Sequence, residues 1–300
     1  MDRNMVSVGF KAPMLATLTK NYFSDPKWIF EKKFDGVRCI VVKKGNRVTL
    51  YSRNRNRLNV SFPELVKPFE KQRGDFIVDG EIIASSFSKL QERMHVKNPS
   101  KIKRSIKVAL YLFDILNDNG TVTTKLPLLE RKKRLKKRIH FGGGIRYTPH
   151  RKTHGERYLK EACKKNWEGL IAKLAEGKYL HKRSRDWLKF KCVKEETFVI
   201  CGYTKPQGSR LGFGALLIGY PGTGKLLYAG KVGTGYDRAL LKKLGAHLQK
   251  IERKTSPFKD PKVPSRGVTW VHPRIKVKVG FTERTSGGLL RHPSFLEFVR

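Results

Sequence analysis

Glu31-Lys32-Lys33-Phe34-Asp35-Gly36-Val37-Arg38 carries the sharpest chemistry in the sequence. A lysine stands beside a strand, with an acid two residues on, then a glycine and an arginine. Lysine attacks only as the neutral amine, and at an unperturbed pKa of about 10.4 roughly one in a thousand is neutral near pH 7.4. Bringing that pKa down to about 7 costs roughly 4 kcal/mol of preference for the ammonium, which neighbouring cations supply. Arg38, Lys189, Lys191 and a divalent metal are candidate sources. In a chain this rich in lysine, any single lysine reads first as part of a solvated basic face. Lys33 therefore has to be judged by its surroundings.

Outward from this stretch the pattern is β. Val37 to Val42 and Arg47 to Ser52 flank a Gly45-Asn46 hairpin turn. Ser61 is placed to cap a short helix from Pro63, and Phe76 to Ile83 returns to strand. Ser88 to His95 predicts a helix, and Lys107 to Leu116 an apolar strand interrupted by Asp114. Pro127 opens a helix whose apolar stripe is Leu128, Leu129, Leu135 and Ile139. Arg131 to Arg138 reads as its basic face, resting on DNA or solvent and away from an active site. Glu156 to Lys165 predicts a further helix, followed by strands at Gly169 to Leu174 and Asp186 to Cys192. Beyond Val193 the register changes to short strands broken by glycine, with one helix bearing Leu240, Leu241, Leu244, Leu248 and Ile251. That is the outline of a small oligonucleotide-binding barrel. The expected organisation is one domain over 1–194 and a second over 195–300.

Charge narrows the partner. Against 65 Lys+Arg stand 25 Asp+Glu, a formal net charge of +40 over 300 residues, and nucleic acid is the commonest polyanion that offsets such self-repulsion. No run approaches 18 apolar residues, and Met1 to Lys20 has no signal-peptide core, so a membrane span and export are not expected. Cys39, Cys163, Cys192 and Cys201 follow neither a zinc spacing nor a disulfide framework, which predicts a reduced, intracellular protein.

The order of motifs around Lys33 resembles the covalent nucleotidyltransferases: ATP-dependent DNA ligases, with RNA ligases and mRNA capping enzymes as cousins. Lys33, Asp35, Gly36 and Arg38 match the nucleophile motif Lys-x-Asp-Gly-x-Arg. Ser52-Arg53, Asp79-Gly80-Glu81, Tyr111-Leu112-Phe113-Asp114, Glu168-Gly169-Leu170-Ile171-Ala172-Lys173 and Trp187-Leu188-Lys189-Phe190-Lys191 follow in the family's order. In the second half, Gly202-Tyr203-Thr204, Tyr228 to Gly235 and Leu290 to Phe295 are similar to the ligase modules of bacterial double-strand-break repair. The implied fold is α+β: an ATP-grasp-like nucleotidyltransferase domain of antiparallel sheets with helices, then an OB-fold β-barrel. The resemblance implies a stand-alone ligase or an excised module, without the large N-terminal DNA-binding domain of replicative relatives. The implied substrates are ATP and duplex DNA with a nick or break, and the implied metal is Mg2+ or Mn2+. It also implies a monomer at the bacterial nucleoid in the cytoplasm, working with an end-binding repair protein.

By the same resemblance, Lys33 attacks the α-phosphate of ATP and holds AMP as a phosphoramidate. Glu31 meets the adenine amino group and Phe113 stacks on the ring, although Phe113 reads equally as ordinary core packing. Arg38 and Arg53 contact the ribose or the DNA 5′-phosphate. Glu81 holds the ribose or a metal, and Glu168 binds the divalent ion. Lys189 and Lys191 neutralise the α-phosphate as charge builds. Lys173 and Arg185 join the nucleotide pocket, and Arg291 orients pyrophosphate. Phosphoryl and nucleotidyl transfers need such cations, with a hard metal on carboxylates. Asp114 is left between a site role and pairing within the core.

Two decoys fall away. Gly219-Tyr220-Pro221-Gly222-Thr223-Gly224-Lys225 fits seven places of a P-loop, but Leu226 stands where a hydroxyl should bind magnesium and a strand follows, so a hairpin turn is expected. Gly230, Gly233 and Gly235 are misspaced for a dinucleotide site. Two functional alternatives remain open, an RNA-joining or RNA-capping enzyme and a non-catalytic nucleic-acid-binding protein.

Overall fold

The computed structural model describes residues 9–94, 96, 98–261, 263–285 and 287–299. The first eight residues of the Met1 to Lys20 stretch read for a signal peptide, and His95 at the expected end of a helix, lie outside the described residues. The chain divides between Cys192 and Val193 into two compact units.

The first unit runs β1 (Leu15–Leu18), β2 (Trp28–Lys32), β3 (Val37–Lys44), β4 (Arg47–Ser52), α1 (Pro63–Glu70), β5 (Phe76–Ile83), α2 (Phe87–Met94), β6 (Ala109–Asp118), β7 (Thr121–Val122), α3 (Leu128–Arg138), β8 (Ile145–Tyr147), β9 (His150–Lys152), α4 (Gly155–Lys164), β10 (Gly169–Leu174) and β11 (Arg183–Lys191). Two sheets form from them, one in the order β1-β11-β10-β2-β9 and one in the order β4-β3-β5-β6-β7 with β8 beside β6. The pairings are antiparallel except β1 with β11 and β6 with β8.

Strand periodicity of two explains how the sheets are layered. In β3, Cys39 and Val41 enter the core under the helices while Ile40 and Val42 enter the core between the sheets. Phe30, Leu170, Ala172 and Phe190 pack with Tyr158, Leu159 and Ala162 of α4 on the far side of the other sheet. Their strand neighbours Glu31, Ile171, Lys173 and Lys189 line the space on the opposite face. Both sheets are thus covered outside, and between them their inner faces share an apolar core and the polar side chains that line a cavity.

Several expectations need correction. Ser61 does not cap α1: the N-cap is Phe62, and the Ser61 hydroxyl reaches the Met94 and Val96 carbonyls instead, because its side chain is buried. Cys163 and Cys192 form a disulfide with Cα atoms 5.3 Å apart, since α4 ends beside the end of β11. Sequence separation carries no trace of that closeness, and only Cys39 and Cys201 are free thiols. The basic face expected of α3 needs correction at two of its seven cations, because Arg131 and Lys132 are fully buried.

The second unit contains β12 (Lys194–Thr204), β13 (Leu216–Gly222), β14 (Lys225–Val232), α5 (Arg238–Gln249), β15 (Glu252–Arg253), β16 (Val268–Val271), β17 (Lys276–Phe281), β18 (Glu283–Arg284), β19 (Leu290–Arg291) and β20 (Ser294–Val299). β12 pairs β13 on one edge, and on the other pairs β17 through Lys194–Val199 and β16 through Gly202–Thr204. Among the described residues no ladder joins β14 to β20. The unit is therefore the partly open form of an oligonucleotide-binding barrel, not a closed one. Asp237 caps α5 through the Leu240 amide, and Leu244 and Leu248 fill the core beneath it. Gly219 to Lys225 runs from the end of β13 through the Thr223-Gly224 turn into β14, with Gly224 at φ +66°, as expected for a hairpin.

Candidate active site

The inner faces of the two sheets in the first unit enclose a cavity of about 800 Å³, within the size of a nucleotide site. Lys33 follows β2 and faces it. Two glycines bring the chain there. A Cβ on Gly36 would lie 2.3 Å from the Ile82 carbonyl oxygen, so the turn after Lys33 passes against the β5 backbone only because no side chain is present. Gly169, at φ +143°, would place a Cβ 1.9 Å from the Phe190 carbonyl; its own carbonyl accepts the Lys33 amide at 3.0 Å. This glycine fastens the start of β10 to the nucleophile loop, and Glu168 immediately before it meets the Lys33 amine.

Lys33 Nζ and Glu168 Oε2 form an ion pair, and Lys191 Nζ lies 3.8 Å from the other Glu168 oxygen. Lys189 and Arg183 line the cavity with Lys33. Burial pushes the Lys189 ammonium below its usual range, and Lys33, Arg183 and Lys191 push the same way. Three lysines thus converge around one carboxylate, with Arg183 close enough to act on Lys189, an arrangement that fits a polyphosphate and costs energy without one.

On the facing sheet, Arg38 donates from Nε to Asp79 Oδ1 at 2.5 Å and from Nη2 to Asp79 Oδ2 at 2.6 Å. Tyr179 adds a hydroxyl bond to Asp79 at 2.6 Å and accepts the Met14 amide at 2.9 Å. Both Asp79 oxygens are thereby engaged, and the residue serves to aim Arg38. Glu81, two residues along β5, shares its face. Its carboxyl is pushed up to about 7, chiefly by burial, with Arg38 and Lys33 opposing and Asp79 and Glu168 adding to the rise.

The acid expected at the adenine end has charged partners of its own. Glu31 is 2% exposed and sits between two ammonium groups: Lys132 Nζ on Oε1, and Lys173 Nζ 2.6 Å from Oε2. Lys173 lies 4.1 Å from the Phe113 ring centre and 4.0 Å from that of Trp187, and the Arg38 guanidinium is 4.8 Å from Phe113. Phe113 is thus both core and cavity wall.

Glu31, Lys33, Arg38, Arg53, Glu81, Phe113, Lys173 and Lys189 all line the one cavity, and Glu168 and Lys191 adjoin it through Lys33. Arg53 is exposed at its rim. Arg185 is exposed and outside the lining; Arg183 takes that place, its Nη1 donating to the Ala16 carbonyl at 2.5 Å where the β1–β11 register shifts. Asp114 lies wholly in the core, paired with Arg131. Arg291, in the second unit, pairs with Glu283 at 2.5 Å. Sequence reasoning missed Lys132, Tyr179 and Arg183. Lys132 did leave a signal, four residues after Leu128 and three before Leu135 on the apolar stripe of α3.

Residues 13–191 match the profile of the ATP dependent DNA ligase domain, and residues 209–300 that of the ATP dependent DNA ligase C terminal region. The chain belongs to the ATP-dependent DNA ligase family. It is 33% identical over 294 residues to the multifunctional non-homologous end joining protein LigD of Mycolicibacterium smegmatis, covering 95% of this chain and 38% of that protein. The LigD of Pseudomonas aeruginosa is 32% identical, covering 95% and 35%. The chain therefore spans less than half the length of these relatives. Among solved structures, mycobacterial DNA ligase D complexed with ATP and MES matches at TM-score 0.55 and 28% identity, covering 96% of this chain and 95% of that one. A Lig E DNA ligase shares the fold at TM-score 0.66 and 18% identity, covering 97% and 100%.

Ligases of this family work with a divalent metal, and two carboxylates of this cavity suit one. Magnesium keeps several waters and takes one or two carboxylates alongside substrate phosphates. Glu168 adds to the rise on Glu81, and the proton that burial favours on Glu81 is what a bound cation would replace. A testable consequence follows for the metal-free protein. Since the folded-state value of Glu81 lies above the unfolded value near 4.5, its contribution to stability is present below about pH 4.5 and is lost as pH rises through about 7. Glu81→Gln removes that loss, so in calorimetry with chelator the variant gains in Tm relative to the native protein between pH 5 and pH 8; a flat difference across that range contradicts the assignment.

Proposed function

We propose that the protein seals 5′-phosphate/3′-hydroxyl breaks in duplex DNA at the expense of ATP, in end-joining repair. The observation that carries this reading is the convergence of Lys33, Glu168, Lys189 and Lys191 on the cavity of a ligase-family chain. Lys33 Nζ forms a P–N bond to the α-phosphorus as the bond to pyrophosphate breaks. The 5′-phosphate oxygen of the DNA then takes the AMP from Lys33, and the 3′-hydroxyl displaces AMP to form the phosphodiester. In the resting protein the Lys33 amine is held on Glu168, so the amine has to part from both its proton and that carboxylate before attack. Glu81 and Glu168 would hold a divalent cation, which would supply charge for the triphosphate. Lys189 and Lys191 supply the rest, on the non-bridging oxygens.

The relatives reported above are named as DNA-joining proteins, which favours DNA over the RNA-joining or capping alternative. The surplus of +40 supports a sequence-independent grip on phosphates. No described helix is long and apolar enough to cross a membrane. Action as a monomer at the bacterial nucleoid, alongside an end-binding protein, belongs to the same reading. The deciding experiment mixes the protein with α-labelled ATP and magnesium, then adds nicked DNA, nicked RNA or hybrid duplexes. Label on the protein, followed by sealing of DNA, is the expected result. Label from GTP alone, sealing of RNA alone, or no label overturns it.

A further inference from the structure

Lys132 is a lysine with almost no access to water, on a helix that contributes no motif to the site. It is 1% exposed. Its ammonium donates to Glu31 Oε1 and, at 3.1 Å, to the Thr148 carbonyl, and it lies 4.8 Å from the centre of the Tyr147 ring. Unlike Glu31 and Lys173 it is not part of the cavity wall. It stands behind the wall, on the side of Glu31 turned away from the ligand space.

A buried carboxyl with no partner takes up a proton. Burial pushes the Glu31 carboxyl up, yet Lys132 and Lys173 outweigh it and hold the group below the usual carboxylate range. The two lysines differ in what they can guarantee. Lys173 faces the cavity between Phe113 and Trp187, and its ammonium is pushed down to about 8, chiefly by burial, with Lys132 acting in the same direction. A nucleotide entering the cavity meets Lys173 directly. Lys132 is fixed from behind by the Thr148 carbonyl and by the neighbouring Arg131, which Asp114 anchors in the core.

We propose that Lys132 is a positioning residue that keeps Glu31 a fixed, acceptor-only carboxylate and so makes the site select 6-amino purine over 6-oxo purine triphosphates. This rests on the reading that Glu31 meets the adenine amino group. An ionised carboxylate offers lone pairs alone: it accepts from an exocyclic amino group and repels a 6-oxo oxygen. A protonated or turned Glu31 loses that distinction, because its hydroxyl can donate to the oxo group. Each Glu31 oxygen already faces one lysine, which holds the carboxylate plane while a second lone pair on each oxygen stays available.

The test is the ratio of single-turnover adenylation efficiency between nucleotides, which a uniform loss of folded protein does not move. The native protein, Lys132→Met, Lys132→Gln and Lys132→Arg are each given ATP, the 6-desamino analogue purine riboside triphosphate, and GTP. The native protein is expected to prefer ATP over the analogue by about tenfold to a hundredfold, the worth of a hydrogen bond to a charged group. In Lys132→Met that preference falls to within about threefold and GTP gains relative to ATP; Lys132→Arg restores the ratio. Lys132→Gln, which keeps a donor and loses the charge, behaves like Lys132→Met and stands in for it if methionine does not fold. A native preference that survives intact in Lys132→Met and Lys132→Gln overturns the proposal while leaving Glu31 as the reader of the amino group. No native preference between ATP and the analogue overturns the reading of Glu31 itself, and the proposal with it.

Discussion

Lys33→Arg loses self-adenylation by about 10⁴-fold or more, while sealing of a nick that already carries a 5′-adenylate persists. The choice of arginine is what makes the result informative. Arginine keeps the positive charge and can keep the ion pair with Glu168, so the electrostatics of the cavity are largely preserved. It cannot shed its proton in a protein, so it cannot attack phosphorus. The last chemical step uses the DNA 3′-hydroxyl and needs no lysine nucleophile. Retained sealing of the pre-adenylated nick therefore separates loss of the nucleophile from loss of the fold or of DNA binding. Residual label on the variant comparable to the native protein, located by mass spectrometry at another lysine, shows that the nucleophile has been misassigned.

The ordered motifs placed most of this site in advance because they lie on strands. Asp79 and Glu81, or Lys189 and Lys191, alternate with apolar residues at a period of two, and a sheet converts that period directly into a shared face. Expected strands at Phe76 to Ile83 and Gly169 to Leu174 accordingly coincide with those observed. What stayed hidden depends on contacts between distant segments. Nothing near Cys163 announces Cys192, since their meeting is set by how α4 lies against the β10–β11 sheet. Arg185 is expected only from its place beside the motifs, and that Arg183 lines the cavity instead depends on the irregular pairing between Ala16 and Thr17, which one strand alone does not carry. On α3, a run of cations looked like a solvated face. The stripe of Leu128 and Leu135 shows which two of them, Arg131 and Lys132, had to point inward, and buried cations of this kind imply carboxylate partners elsewhere in the chain.

One of those partners sets the largest expected effect on stability. Asp114 and Arg131 are both 0% exposed, and the pair is bidentate, with Nε 2.7 Å from Oδ1 and Nη2 2.9 Å from Oδ2. The remaining guanidinium nitrogen donates to the carbonyls of Leu126 at 2.6 Å and Gly177 at 2.9 Å, tying α3 to the segment that follows β10. Asp114→Ala leaves the arginine charge in an apolar interior with no carboxylate, a change that costs about 3–5 kcal/mol. For a chain of this size that is a fall in Tm of about 10 °C, with the denaturant slope unchanged. The double variant Asp114→Leu with Arg131→Met removes both charges and is expected to recover most of the loss, since apolar pairs of similar volume often match a buried ion pair. If Asp114 instead served as a metal or nucleotide ligand, Asp114→Ala would leave stability in chelator almost unchanged and strike adenylation alone. The geometry argues against that outcome, because both Asp114 oxygens are already engaged by Arg131. The same variant also tests how far α3 supports the site. Lys132 follows Arg131 directly, so loosening that anchor is expected to reduce the preference for ATP over its 6-desamino analogue even at temperatures where the protein remains folded.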